Sequence, residues 1–275
     1  NAVGVDARSP KWGSFRDFVC TFGEDFIVAG DYSGFDKSMP AEVILAAFDF
    51  IIGVLKLAPD WDPDVEIIIS TLAQDVAYPV YNFNGDIVAF LGSNPSGHPL
   101  TVVINCIVNS IYIRIAFFDI TGSLDGFRDQ VKLVTYGDDM IAGVDPASGV
   151  DHTNISVALG CRGIVFTMAD KESESVPFLN IEKVDFLKRS FRVVHGYCFA
   201  PLDIQSINRS LIVSCMSSAI TPEEHIASII ASALDNLFPW GPVKYLEYVA
   251  LFEEFSETFP YDLRIATYEE KLTGY

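Results

Sequence analysis

The sequence predicts an α+β body followed by a helical C-terminal region. Three observations carry that reading. Two turn signals, Asn84-Gly85 and Gly137-Asp138-Asp139, each lie between runs of strand character. Long apolar runs of helical character, at 41–57 and 100–118, precede them. From about Leu202 the pattern is helical throughout, with candidate helices at 203–215, 222–237 and 242–256. Half of the 275 residues are hydrophobic, so the chain can bury a sizeable core and is not expected to stay disordered.

The elements follow in order. Phe26-Ile27-Val28-Ala29 reads as a buried strand that meets a loop at Gly30-Asp31. Pro40 suits a first helical turn, where its fixed φ and missing N–H do no harm, and a helix is expected over Ala41–Leu57. Pro59, Asp60, Asp62 and Pro63 break it, and a second helix is expected over Val65–Gln74. Within Tyr78–Leu91, Asn84-Gly85 predicts a hairpin, because both turn residues must tolerate positive φ. A loop over Gly92–Gly97 then leads into a long helix, Leu100–Phe118. This is the nearest approach to a membrane span, but Asn105, Asn109, Ser110 and Arg114 interrupt it, so a buried helix is expected and no direct membrane anchor. Val131–Tyr136 and Met140–Val144 predict a second hairpin, with two adjacent carboxylates at its turn. A helix at Thr153–Leu159, a strand at Gly163–Met168 and a strand pair, Val184–Phe191 with Val193–Phe199, complete the body. The boundary with the helical region is expected near residue 200.

Composition excludes some classes. The five cysteines (Cys20, Cys106, Cys161, Cys198 and Cys215) are scattered and form no CxxC pair, which argues against a disulfide framework or zinc site and for a reducing compartment. The net charge of −19 is that of an acidic protein, and taken alone it disfavours a polyanionic partner. A nucleic-acid partner is compatible with it if carboxylates gather around metal ions and the basic surface lies outside this chain. Starting at Asn1, the chain reads as a piece of a longer polyprotein or larger enzyme.

Asp31 and Asp138 each end an apolar run, where a charge is costly unless paired or metal-bound. A strand ending in Asp and a hairpin tip carrying Asp138-Asp139 can bring three carboxylates together. Hard oxygen donors of that kind suit Mg²⁺. Asp also favours turns for conformational reasons, so one Gly-Asp-Asp hairpin proves little.

Read together, the segments say more. Gly30-Asp31-Tyr32-Ser33-Gly34-Phe35-Asp36-Lys37-Ser38 resembles motif A of RNA-dependent RNA polymerases from picornavirus-like positive-strand viruses. Asn94-Pro95-Ser96-Gly97-His98-Pro99-Leu100-Thr101, with Asn105 beyond it, resembles motif B. Tyr136-Gly137-Asp138-Asp139 is identical to motif C, Thr167-Met168-Ala169-Asp170-Lys171 is similar to the end of motif D (153–171), and Phe186-Leu187-Lys188-Arg189 is similar to motif E. The motifs stand in the family's order. His98 and Pro99 depart from the smaller residues common in relatives.

The resemblance implies a right-hand polymerase palm with an antiparallel sheet over 1–200, a helical thumb over 201–275, and most of the fingers absent. It implies template-directed RNA synthesis with two Mg²⁺ ions, for which Mn²⁺ can substitute. Asp31 and Asp138 would hold both metals, with Asp139 supporting. Asp36, Ser96, Thr101 and Asn105 would recognise the ribose hydroxyls of the incoming nucleotide, and Gly97 would let the loop approach substrate closely. Lys171 would be the general acid for pyrophosphate, and Lys188 and Arg189 would grip the primer backbone. The implied partners are RNA template and primer, ribonucleoside triphosphates and other viral replication proteins, within replication complexes of the host cytoplasm. The alternatives are a reverse transcriptase, against which Asp36 and Asn105 speak, and a non-catalytic acidic scaffold or metal-binding domain on the same fold.

Overall fold

The computed structural model describes residues 1–7, 9, 11–194, 196–212, 219–258 and 265–273. Its helices are α1 (Lys11–Val19), α2 (Phe35–Ser38), α3 (Ala41–Leu55), α4 (Pro63–Ala77), α5 (Thr101–Thr121), α6 (Phe127–Gln130), α7 (His152–Gly160), α8 (Ile204–Ile212), α9 (Pro222–Leu237), α10 (Pro242–Thr258) and α11 (Tyr268–Thr273). Its strands are β1 (Ile27–Tyr32), β2 (Val80–Phe83), β3 (Asp86–Ala89), β4 (Val131–Tyr136), β5 (Asp139–Val144), β6 (Phe166–Met168), β7 (Arg192–Val194) and β8 (Tyr197–Phe199). The class is α+β, as expected. The chain forms two compact units, one of Asn1–Val5 with Asp17–Ile181 and one of Asp6–Arg16 with Glu182–Tyr275.

The first unit is built on an antiparallel sheet in the order β4-β5-β1-β6. All six residues of β1 are buried, which explains its nearly unbroken apolar sequence. The strand runs one residue past Asp31, where the sequence reading ended it, to Tyr32; pairing of Asp31 with Thr167 on β6 holds it in the sheet. The core joins Val28, Tyr32, Ile44, Phe48, Ile104, Ile113, Phe117 and Met140. Helix α5 passes for a membrane span by length and composition alone, contrary to the sequence reading. Here it packs against α3, α7 and β4 as a core helix. Gly143 has a second task in β5, since a Cβ there would sit 1.7 Å from the backbone oxygen of Val19.

Asp62 and Pro63 start α4 rather than merely ending the helix before it. The Asp62 carboxylate accepts from the Asp64 amide at 2.9 Å, and Pro63 occupies the first turn. The β2–β3 hairpin forms as expected, with Asn84 and Gly85 at φ of 54° and 101°. It is a separate two-stranded ribbon, and Phe83 and Ile87 face solvent.

The second unit has its own core of Phe199, Ile207, Leu234, Leu237, Phe238, Tyr245 and Phe252. Trp12 stacks on Phe186 and Phe191 within it. The expected strand pair of 184–191 with 193–199 is not what forms. Leu187 and Lys188 both take φ of 59°, which folds the chain back so that Phe186 bridges Arg189, and the hairpin is made by β7 and β8 instead. The units therefore divide at Ile181/Glu182, ahead of the expected boundary near 200. Residues 213–215 of the expected helix 203–215, Cys215 among them, lie outside the described residues. Helix α9 spans the predicted 222–237, and it starts on a capping box that the sequence reading did not name: Thr221 Oγ1 accepts from the Glu224 amide at 3.2 Å, and the Thr221 amide donates to Glu224 Oε2 at 2.9 Å. Thr221→Ala should cost this unit about 1 kcal/mol, measured by denaturant unfolding.

Candidate active site

The site is set by strand register. Strands β1 and β5 pair from Ile27 opposite Gly143 to Gly30 opposite Met140, so the next residues along are Asp31 and Asp139. Tyr136 pairs with Asp139, leaving Gly137 and Asp138 as a two-residue turn. Gly137 has φ of 61°, the conformation a type II′ hairpin requires of its first turn residue. The two aspartates are thus not equivalent: Asp138 lies on the turn and Asp139 opens β5.

Asp31 is 9% exposed. Its Oδ1 accepts from the Tyr32 amide at 2.6 Å, and Lys171 Nζ lies 2.7 Å from its Oδ2. Lys171 follows β6 on a turn where its own φ is 64°. Hydrogen bonding to Asp31, then the charges of Asp31, Asp138 and Asp139, push the Lys171 ammonium above its ordinary pKa. Burial, then the charges of Asp31 and Asp36, push the Asp138 carboxyl up, against its own backbone hydrogen bond and Lys171. Among the described residues no three His, Cys, Asp or Glu side chains meet closely enough to share one ion. The donor set nonetheless suits hard divalent cations: it is all carboxylate, and positive charge would offset the burial and the neighbouring carboxylates that disfavour the ionised Asp138.

Beside this edge runs a chain of polar contacts. Asn105 Nδ2 donates to Asp36 Oδ1 at 2.6 Å, joining α5 to α2. Asn94 Nδ2 donates to Asn105 Oδ1 at 2.7 Å and to Thr101 O at 3.2 Å, and the Asn94 amide donates to Asp36 O at 2.9 Å. The structure thus brings Asp36 and Asn105 together and adds Asn94, which sequence reasoning quoted but gave no role. Thr101 Oγ1 donates to Pro95 O at 2.7 Å, closing the loop on itself. Ser96 and Gly97 are exposed on that loop, with Gly97 at φ of 88°.

Sequence reasoning also missed Asn109 and Cys106. Asn109 Nδ2 lies 3.1, 2.8 and 3.4 Å from the carbonyl oxygens of Gly137, Asp138 and Asp139, while Tyr32 Oη donates to Asn109 Oδ1 at 3.0 Å. The Gly137 amide donates to Cys106 Sγ at 3.1 Å. Burial first, then Tyr112, Asp138 and Asp31, push the Tyr32 phenol well above its ordinary pKa, so it remains a donor. The one signal in the sequence was the polar interruption of an apolar helix at Asn109.

Lys188 and Arg189 belong to the second unit. Lys188 is exposed. The Arg189 guanidinium donates to Ala200 O at 2.7 Å and Asn236 Oδ1 at 3.0 Å, tying the turn to the β8 end and α9.

A family model described as viral RNA-dependent RNA polymerase matches residues 1–225. The Replicase polyprotein of Drosophila C virus is 28% identical over 98% of this chain, and the Genome polyprotein of Deformed wing virus 29% over 90%. The RNA1 polyprotein of Cherry rasp leaf virus is 30% identical over 76%. The chain spans only 16%, 9% and 10% of those polyproteins. Sicinivirus 3Dpol RNA dependent RNA polymerase shares the fold, with a TM-score of 0.76 at 21% identity over 99% of this chain and 55% of that one. With its antiparallel sheet, its Tyr-Gly-Asp-Asp hairpin and these relatives, the chain belongs to the viral RNA-dependent RNA polymerase family.

Proposed function

We propose that this chain carries the nucleotidyl-transfer centre of an RNA-directed RNA polymerase. The observation that carries the reading is Asp31 at the end of a buried strand, in register with the hairpin of Asp138 and Asp139. In the reaction a primer 3′-hydroxyl loses its proton to solvent and its oxygen bonds to the α-phosphorus of a ribonucleoside triphosphate; the bond to the bridging oxygen breaks and pyrophosphate leaves. Two Mg²⁺ ions, held by Asp31 and Asp138 with support from Asp139, would offset charge on the attacking and leaving oxygens. Lys171 would supply the leaving group's proton. Its raised pKa belongs to the pose on Asp31, so the ammonium must leave that carboxylate before it can act.

Asp36 and Asn105 form the ribose-reading pair. Asn105 is committed to Asp36 through Nδ2 and to Asn94 through Oδ1, which leaves Asp36 Oδ2 to accept from a ribose hydroxyl. Ser96 and Thr101 serve the same site through the loop that they shape. Lys188 is the better phosphate contact of the basic pair, because Arg189 is engaged within its own unit. The partners in this reading are RNA template and primer, ribonucleoside triphosphates and other viral replication proteins, and its place is a replication complex in the host cytoplasm.

Mg²⁺-dependent primer extension on an RNA template tests the assignment. Ribonucleotides should be preferred over deoxyribonucleotides, because a site built to bond a hydroxyl leaves polar groups unpaired with the analogue lacking it. Asn105→Ala should lower that preference by about tenfold or more, since it frees Asp36 from its anchor. A wild-type preference for deoxyribonucleotides would favour the reverse transcriptase, and extension without divalent ions would sink the reading.

A further inference from the structure

We propose that Asn109 is a positioning residue whose single carboxamide fixes the turn bearing Asp138 against the strand bearing Asp31. Asn109 is 0% exposed, on a face of α5 among buried apolar residues, where an amide is costly unless bonded. Its nitrogen has two hydrogens, and the carbonyls of Gly137 and Asp138 take them at 3.1 and 2.8 Å. Its oxygen accepts from Tyr32, the residue next to Asp31, at 3.0 Å. The amide can sit only one way round, because a flip would set its oxygen against three carbonyl oxygens. One planar group therefore spans from the turn to β1, and Cys106 Sγ receives the Gly137 amide from three residues earlier on α5.

Asn105, four residues before Asn109 and so on the same helical face, holds Asp36. A single 21-residue helix thus sets the positions of the ribose-reading carboxylate and of the turn carboxylate together. Oxygen-ligated sites tolerate little displacement, and groups that orient ligands without touching the ion change affinity by about 10- to 100-fold. The consequence for metal binding rests on the polymerase reading; the geometry of the turn does not.

The test uses Asn109→Asp, which keeps the shape but turns an oxygen towards the carbonyls, and Tyr32→Phe, which removes one oxygen and keeps the ring. Three quantities are measured on the full chain: Mn²⁺ affinity from the spin-resonance signal of the free ion, amide exchange over 136–140 without metal, and the thermal midpoint. Asn109→Asp should weaken Mn²⁺ about tenfold and speed exchange at the turn. Tyr32→Phe should weaken it about threefold and lower the midpoint modestly, since Asn109 Oδ1 loses its donor, and the double variant should be no worse than Asn109→Asp alone, because both cut the same chain of bonds. A lower midpoint with unchanged turn exchange would overturn the proposal, as would faster exchange with Mn²⁺ affinity unaltered. Asp138→Asn is the control. If it binds Mn²⁺ as wild type does, or wild type binds none, the metal reading fails, and turn exchange alone then decides for or against Asn109.

Discussion

Asp138→Asn is expected to reduce RNA synthesis on the order of 10⁴-fold or more while leaving the folded chain as stable as before, or more so. The two halves of that result have separate causes. Activity needs the carboxylate charge at the turn, which the amide lacks. Stability responds the other way, because burial and the charges of Asp31 and Asp36 raise the Asp138 pKa. A group whose folded pKa lies above its unfolded value contributes stability below the unfolded pKa, and that contribution is lost as pH rises through the folded value. At neutral pH the ionised Asp138 is therefore a net cost to the fold, and Asn removes it. The thermal midpoint of the variant should match or exceed that of wild type at pH 7, with the difference shrinking on acidification. Near-wild-type elongation would remove Asp138 from the catalytic set, and a lowered midpoint at pH 7 would show the carboxylate to be a structural group.

Gly143→Ala is expected to be the most damaging single methyl group in the chain, costing upwards of about 3 kcal/mol and preventing accumulation of folded protein. The added carbon would stand 1.7 Å from Val19 O and 2.7 Å from Val19 C, both backbone atoms that no rotamer change can move aside. Gly143 also pairs with Ile27 and Lys132, in the middle strand of the β4-β5-β1 run, so β5 cannot shift without disturbing the register that aligns Asp31 with the hairpin. Gly53→Ala is the matched control. Gly53 lies within α3, and nothing stands within 4 Å of its added carbon. There the methyl should stabilise by about 1 kcal/mol, through the lower helix propensity of glycine. Urea unfolding of both variants separates a steric cost from a generic effect of replacing glycine, and a Gly143→Ala protein of wild-type stability would refute the close approach.

What could be read from the sequence was what depends on near neighbours. Asn84-Gly85 and Gly137-Asp138 announce turns because their φ preferences act over two residues, and α9 falls on the helical pattern of 222–237. Asp31, Asp138 and Asp139 stood out in the sequence as carboxylates ending apolar runs and Asp36 through the motif resemblance, and the register of β1 and β5 brings Asp31 to the hairpin. Asn109 and Asn94 were passed over because their partners lie 28 residues on and 11 residues on respectively, beyond any local rule. The turn at Leu187 and Lys188 was misread as strand because neither residue type favours positive φ, so nothing in Val184–Phe191 marks a turn. Phe186 and Phe191, on either side of it, stack on Trp12, far back in the chain, a contact that no local pattern announces.

The solvent-facing β2–β3 ribbon has a consequence for how the chain behaves in bulk. Together with α3, α4 and the segments beside them it presents Leu57, Ile67, Phe83, Ile87 and Leu91 at 66–85% exposure. Apolar area on that scale favours association between copies. The charge of −19 opposes such association by electrostatic repulsion between copies. Such repulsion has a range of about 10 Å at 0.1 M salt and about 3 Å at 1 M. Light scattering should therefore show more association between copies at 1 M salt than at 0.1 M.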